Sequence, residues 1–323
     1  MKNILLITHA SLGHLRTRSD LSFFHYDWFR KGMMISPEIE FDNTSGHLSA
    51  LLLTAKELMD MPRDDIRQKI LDAALYLQDE CGVDCLQLGA LTTSVTSGGV
   101  WLTEQPEFTG YVTHGDSYTA SIVEQNVYKL LDLLDEEIYC MNIAIVGAYG
   151  IIGEAVSKLL VPVCYHAVLV GPDEDKLRSL GSCFKKGYTL STELDITDAD
   201  VVITATNHPT ALLDSRHLKK NALIVDVSQP PNLSHSVCSK RKDIIRVDGG
   251  LVSFPNTCFI TPGLPSDKMF ACVTECIMQA MEDDKHHHVG SIDMQHLKVT
   301  ERWGKKHGFV LKELTNFGKS VVF

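Results

Sequence analysis

One stretch constrains the fold more than any other, residues 142–160, NIAIVGAYGIIGEAVSKLL. Ile143 to Val146 form an apolar run that reads as a strand buried in a parallel sheet. Gly147, Gly150 and Gly153 follow at even spacing, and Ile152, Ala155, Val156, Leu159 and Leu160 continue with helical period. Strand, glycine turn and helix make the dinucleotide-binding arrangement. A pyrophosphate seats on the amides of a helix N-terminus, and a side chain in the turn would hold it away. The spacing is G-x-x-G-x-x-G rather than G-x-G-x-x-G, so the flanking strand and helix carry the reading. The expected phosphate cradle is Gly147, Ala148, Tyr149, Gly150, Ile151, Ile152 and Gly153.

The pattern after the turn alternates strands and helices, which implies an α/β fold with a doubly wound parallel (Rossmann) sheet. Strands are expected over 167–170, 201–205, 223–227 and 244–247, with a helix over 174–180. Their carboxyl ends open onto the crevice where such sheets bind ligands. That places Gly171 and Asp173, then Thr204, Ala205, Thr206 and Asn207, then Ser228 and Gly249, as further cofactor-binding candidates.

The segment before the turn reads as a second α/β domain. A strand over 2–8 ends in a loop at His9, and the aromatics of 19–31 form a helix or lid. Residues 39–41 and 47–54, around a turn at 42–46, make a hairpin, or the second arm starts a helix. Pro62 opens a helix to about residue 80 with apolar positions Ile66, Ile70, Ala73, Ala74 and Leu77, closed by Gly82. A strand over 85–91 leads to a small-residue loop, 92–99. Asp116 or Ser117 caps a helix to about residue 134. A last pair of helices is expected, one from near Ser266 to about 281 and one ending near His307. His286-His-His288 between them reads as a solvated helix end rather than a metal site. The expected domains are 1–115 for substrate, 116–266 for dinucleotide, and C-terminal helices, 267–323, packing back on the substrate domain.

Composition narrows the function classes. The formal charge of −11 over 323 residues argues against a nucleic-acid surface. Nine cysteines without a C-x-x-C pair fit neither a zinc ribbon nor a disulfide framework, and point to a reducing, cytoplasmic setting. The N-terminal apolar run is too short for a signal peptide, and no stretch approaches the ~18 apolar residues of a membrane helix.

Several separated segments carry a resemblance. They are Ile7-Thr-His9, Gly82-Val-Asp-Cys-Leu-Gln-Leu-Gly-Ala-Leu-Thr-Thr93, Thr113-His-Gly-Asp-Ser-Tyr-Thr-Ala120, Gly147-Ala-Tyr-Gly-Ile-Ile-Gly153, Pro231-Asn-Leu233, Gly249-Gly-Leu-Val252 and Met269-Phe-Ala-Cys272. Together they resemble the cyanobacterial-type long-chain acyl-[acyl-carrier-protein] reductases, over most of the chain. The resemblance implies a Rossmann domain related to those of shikimate/quinate dehydrogenase and glutamyl-tRNA reductase. It also implies reduction of an acyl thioester, on acyl carrier protein or coenzyme A, to an aldehyde. Cys272 falls on the family's acylated cysteine. The family implies NADPH, but where it has an arginine after the second strand this chain reads Gly171-Pro172. Asp173, 20 positions after Gly153, suits ribose hydroxyls, so the residues lean slightly to NADH within an NAD(P)H-dependent reading.

Such chemistry runs through a thiolate that takes the acyl group before hydride reduces it. A place early in a helix favours the Cys272 anion. His9, His114 and Ser117 are the candidate proton or oxyanion donors, with Asp116 and Tyr118 beside them. Two alternatives remain at this stage. One is a shikimate/quinate-type alcohol dehydrogenase, which needs a lysine that loop 92–100 lacks. The other is a non-catalytic dinucleotide-binding protein. Glutamyl-tRNA reductase shares the cysteine logic, but the acidic charge and the lack of a long dimerisation region speak against it. Acyl length, carrier and oligomeric state are not encoded in any motif.

Overall fold

The computed structural model describes residues 2–9, 29, 30, 32–208, 210–255 and 264–321, without the side chains of 2–9, 30 and 55. The loop expected after His9 and most of the aromatic lid lie outside the described residues. The chain divides into two units, Met1–Gly115 with Cys272–Asp293, and Asp116–Ala271 with Met294–Phe323.

The sheet of the first unit centres on β1 (Lys2–His9), parallel to β5 (Thr44–Leu51) on one side and β6 (Val83–Leu88) on the other. Beyond β6 lies parallel β7 (Tyr111–Thr113). Antiparallel β3 (Met33–Ile35) and β4 (Ile39–Phe41) pair with β5, and β2 (Phe29–Arg30) pairs with β3. Of the two options for residues 47–54 the hairpin forms, with its second arm starting earlier, at Thr44. The helix Arg63–Cys81 buries Ile66, Ile70, Ala73, Ala74 and Leu77, the face set by their spacing, against Leu86 and Leu88. Gly82 stops it in the left-handed region at φ 67°, donating its N–H to the Leu77 carbonyl. The loop expected over 92–99 instead holds a short helix, Leu91–Val95. There the Thr92 and Thr96 hydroxyls donate to the Gly89 and Thr92 carbonyls, so small hydroxyl residues satisfy the backbone locally.

In the second unit β8 (Asn142–Val146), β9 (His166–Val170), β10 (Tyr188–Ser191), β11 (Val201–Thr204), β12 (Leu223–Asp226) and β13 (Ile245–Asp248) form one parallel sheet. Its spatial order is β10-β9-β8-β11-β12-β13, the 3-2-1-4-5-6 order of a doubly wound dinucleotide fold. β11 and β12 are buried along their whole length. β10 escapes a reading by hydrophobic runs because it is an edge strand, half-exposed and rich in hydroxyls. The helix Asp116–Leu133 packs on Ile151–Leu160, which follows the glycine turn.

Two expectations about the tail are corrected. No helix starts near Ser266: β15 (Lys268–Phe270) pairs antiparallel with β14 (Leu251–Ser253), burying Met269 in a ladder, and the helix Ala271–Met281 follows. Nor do residues 267–323 stay together. The helix Met294–His307 packs on Asp116–Leu133, where Gly304 lets Tyr118 approach. A Cβ at Gly304 would fall 2.1 Å from the Tyr118 hydroxyl, which donates to the Phe309 carbonyl. Among the described residues no helix is long and apolar enough to cross a membrane.

Candidate active site

The glycine turn lies at the carboxyl end of β8. Gly147 has φ +86°, and a Cβ there would stand 2.4 Å from the Ala205 carbonyl oxygen. At Gly153 a Cβ would stand 2.0 Å from the Gly147 carbonyl oxygen. These two glycines are required by the packing of strand, turn and helix. Gly150 differs. Its φ of −67° suits any residue, and its nearest neighbour to a Cβ is the Gly147 oxygen at 3.2 Å. The first helical bond runs from Glu154 N–H to the Gly150 carbonyl at 2.7 Å, so the amides of Ile151, Ile152 and Gly153 precede the i→i−4 ladder. A turn that excludes side chains, joined to a helix N-terminus, fits a dinucleotide pyrophosphate. Ala148 is fully buried and donates its N–H to the Val170 carbonyl.

Tyr149 lies over the segment after β9. A Cβ at Gly171 would fall 2.5 Å from its ring, and its hydroxyl accepts from the Asp173 N–H at 3.2 Å. Asp173 caps the helix Glu174–Gly181, accepting from Lys176 N–H at 3.1 Å, with the Lys176 ammonium 3.5 Å from its carboxylate. The backbone bond from Lys176 holds the Asp173 carboxyl below the usual carboxylate range. The residue is therefore a helix cap and a half-buried anion at once.

On the other half of the sheet, Thr204, Thr206 and Ser228 use their polar groups internally. The Thr204 hydroxyl donates to Asp226 at 2.6 Å, the Thr206 hydroxyl to the Asn232 side-chain oxygen at 2.7 Å, and Ser228 Oγ accepts from Thr206 N–H at 3.0 Å. Gly249 donates to the Asp226 carbonyl at 2.9 Å. Asn207 follows in the same loop as Thr206. Buried Asp226 and Arg246, which tie these segments together, escaped the sequence reading. Asp226 ends a hydrophobic run, and nothing in its neighbours' spacing marks it.

In the first unit Cys272 is the second residue of the helix Ala271–Met281, closer to its positive end than a start at Ser266 implied. Its thiol is half-buried. Gly115, at φ +74°, lies against the Cys272 backbone. His114 is buried in the segment just before, its N–H bonded to the His288 carbonyl at 3.1 Å and its carbonyl accepting from Gln87 Nε2 at 3.3 Å. Thr113 Oγ1 accepts from Gly115 N–H at 3.0 Å and donates to buried Glu275 at 3.3 Å. Glu275 stands three residues after Cys272, and no motif singles it out. Gly115, the residue after His114, thus lies against the Cys272 backbone, whereas Ser117 belongs to the second unit. Ser117 is also no helix cap: it is the second residue of Asp116–Leu133 and is buried. His9 ends β1, its side chain outside the described atoms. The histidine triplet is not a helix end. Asp284 pairs with His286 and, at 2.8 Å, with His288, while His287 Nδ1 accepts from Val112 N–H at 3.2 Å. Cys276 packs 3.8 Å from Cys85, and burial raises its pKa well above the ordinary thiol value.

The first unit also holds a cavity of about 640 Å³. Its lining includes buried Met33, Leu51 and Ala73, half-buried Leu75 and Tyr76, and exposed Lys69, Asp72, Asp79 and Glu80.

Comparison with known proteins follows the same division. Residues 130–249 match the shikimate / quinate 5-dehydrogenase family. The long-chain acyl-[acyl-carrier-protein] reductase of Synechococcus elongatus is 25% identical over 233 residues, 67% of this chain and 66% of that protein. The aminotransferase PigE of a Serratia species is 24% identical over 256 residues, 75% of this chain but 30% of that protein. The chain thus spans less than two thirds of each of these two relatives. Quinate dehydrogenase from Corynebacterium glutamicum, solved with NAD, is 16% identical over 77% of this chain and 88% of that one, with a TM-score of 0.42. The chain therefore carries an oxidoreductase-like Rossmann nucleotide-binding domain, similar across 130–249 to that of the shikimate/quinate dehydrogenases.

Proposed function

We propose that this protein reduces an acyl thioester to an aldehyde with a reduced nicotinamide dinucleotide, through an acyl group carried on Cys272. The observation that carries the reading is the place of Cys272. It is a half-buried thiol in the first turn of an eleven-residue helix, with the His114–Gly115 segment against its backbone. The helix dipole favours the thiolate there. The thiolate forms a new thioester with the acyl carbonyl while the carrier thiolate leaves and takes a proton. The nicotinamide, when bound, supplies the hydride. Cys272 leaves as a thiolate when its thiohemiacetal collapses, and the aldehyde keeps the hydride. The similarity to a long-chain acyl-[acyl-carrier-protein] reductase over 67% of the chain supports an acyl-thioester substrate. So does the cavity of the first unit, whose size and apolar lining residues, Met33, Leu51, Leu52, Leu53 and Leu75, suit an acyl chain, with charged Lys69, Asp72, Asp79 and Glu80 also in its lining. Within the second unit the amides of 151–153 are the pyrophosphate seat, and Asp173 is the group for the ribose. His9 and His114 are the proposed proton or oxyanion donors, with Ser117 a third. The substrate is an acyl group on acyl carrier protein or coenzyme A, and the setting is the cytoplasm.

The reading is tested by intact-mass measurement after incubation with acyl thioesters of graded length, without dinucleotide. The parent gains one acyl mass, and Cys272→Ala gains none while still binding dinucleotide. An adduct that survives in Cys272→Ala overturns the assignment.

A further inference from the structure

Asp226 ends β12 fully desolvated and accepts from five donors: Thr204 Oγ1, the amides of Ser228, Asn232 and Leu233, and Arg246 Nε. A carboxylate offers about four lone-pair sites, so this one has no capacity left for a ligand. Its effect is on the chain around it. Ser228 and Asn232, whose amides it holds, accept from the amide and hydroxyl of Thr206. The segments after β11 and β12 are thereby one hydrogen-bonded body. Both belong to the β11–β13 half of the sheet, the mononucleotide half opposite the one that holds the glycine turn and Asp173.

The counter-charge comes from Arg246 on β13. It is buried between Asp226, 3.2 Å away, and Asp248, 2.7 Å away. Two carboxylates around one guanidinium leave the cluster dependent on that cation, since an unpaired buried carboxylate is heavily penalised. The cation is itself held from the end of the chain. β16 (Thr315–Asn316) and β17 (Lys319–Ser320) form a hairpin whose turn is Phe317-Gly318. The Asn316 side-chain oxygen accepts from Arg246 at 3.0 Å, and the guanidinium sits 4.1 Å from the centre of the Phe317 ring. Asp248 accepts from the amides of Phe317 and Gly318 at 3.1 and 2.8 Å. Phe317 has φ 50° and Gly318 φ 76°. Positive φ at both positions is the two-residue turn that favours Asn-Gly, and an aromatic residue in the first is strained. Such strain persists where the surroundings over-determine it, and here they are Arg246 and Asp248.

We infer that the Phe317–Gly318 turn, acting through Arg246, holds Asp226 as the positioning residue of the nicotinamide half of the dinucleotide site. The inference rests on the second unit binding a nicotinamide dinucleotide. It assigns to a surface hairpin, and to a carboxylate that touches no ligand, control over one half of the cofactor and not the other.

The experiment compares each dinucleotide with its nicotinamide-free counterpart by calorimetric titration of the full chain: NAD⁺ against ADP-ribose, and NADP⁺ against 2′-phospho-ADP-ribose. Phe317→Asn is the first variant, because Asn-Gly is the preferred sequence for this turn and the hairpin is kept while the ring over Arg246 is lost. The expected result is dinucleotide binding weakened at least about fivefold, with the counterpart within about twofold. Asp226→Asn is expected to give the same selectivity at about tenfold or more; if it does not fold, Phe317→Asn decides alone. Equal weakening of both ligands, as from general loosening of the unit, overturns the proposal, and so does no change in either. A parent chain that binds neither member of either pair overturns the nucleotide reading and this proposal with it.

Discussion

Gly115 is pressed onto Cys272: a Cβ on Gly115 would fall 2.3 Å from the Cys272 carbonyl oxygen and 2.6 Å from its Cα. Nothing in that contact is a flexible side chain, so neither partner can yield without moving the helix start. Gly115 also has φ +74°, a region that L side chains rarely adopt. Gly115→Ala is expected to destabilise the first unit by roughly 3 kcal/mol, from clash and strain together. Urea unfolding checks this. Acylation of Cys272 should fall with it, while dinucleotide titration of the variant stays near the parent value.

The three glycines of the turn separate packing from ligand approach. Gly153→Ala places its methyl 2.0 Å from the Gly147 oxygen and is expected to unfold or strongly destabilise the second unit, read as a lowered melting midpoint. Gly150→Ala meets its nearest atom at 3.2 Å and is expected to fold. Its methyl lies where the pyrophosphate must approach, so dinucleotide affinity should fall at least about tenfold, ~1.4 kcal/mol. A folded Gly150→Val variant that binds as tightly as the parent would remove the cradle from this site.

Asp173 bears on cofactor choice. Its backbone bond from Lys176 keeps it ionised well into the acid range, and an anion facing a 2′-phosphate is unfavourable. A modest preference for NADH over NADPH is therefore expected. Asp173→Ser keeps a helix cap and removes the charge. Fluorescence titration should show the NADPH-to-NADH affinity ratio rising about tenfold in that variant. An unchanged ratio would show that Asp173 serves the helix alone.

The thiols should differ in reactivity with pH. Burial pushes Cys164 up to about 11, so at pH 8 roughly one molecule in a thousand carries its thiolate. Cys276 is pushed up by burial and then by neighbouring Cys85. Iodoacetamide labelling mapped by peptide mass should modify Cys272 well before Cys164 and Cys276 at pH 8, with Cys164 accelerating steeply as the pH is raised toward 11. Parity between Cys272 and Cys164 at pH 8 would count against an activated thiol at the helix start.

Five strands of the second unit's sheet, all but the edge strand β10, were legible in the amino-acid order with the glycine turn and the helix Arg63–Cys81, because each rests on local regularity. Buried strands run apolar, helices repeat at 3.6 residues, and a turn that admits no Cβ must be glycine. The Met-Phe-Ala-Cys segment was legible as a motif, but not as structure. Its methionine looks helical, yet Met269 is taken by a ladder with Val252 in β14, a pairing set far away in sequence. That ladder moves the helix start to Ala271 and brings Cys272 into the first turn. The split of the tail was decided in the same way, by the space Gly304 leaves for Tyr118. Asp226 and Arg246 lie 20 residues apart with no shared pattern, and only adjacent parallel strands set their charges 3.2 Å apart. Local sequence determines which segments are strands, turns and helices. Which polar groups lose water together depends on strand order and register, and those are properties of the folded chain alone.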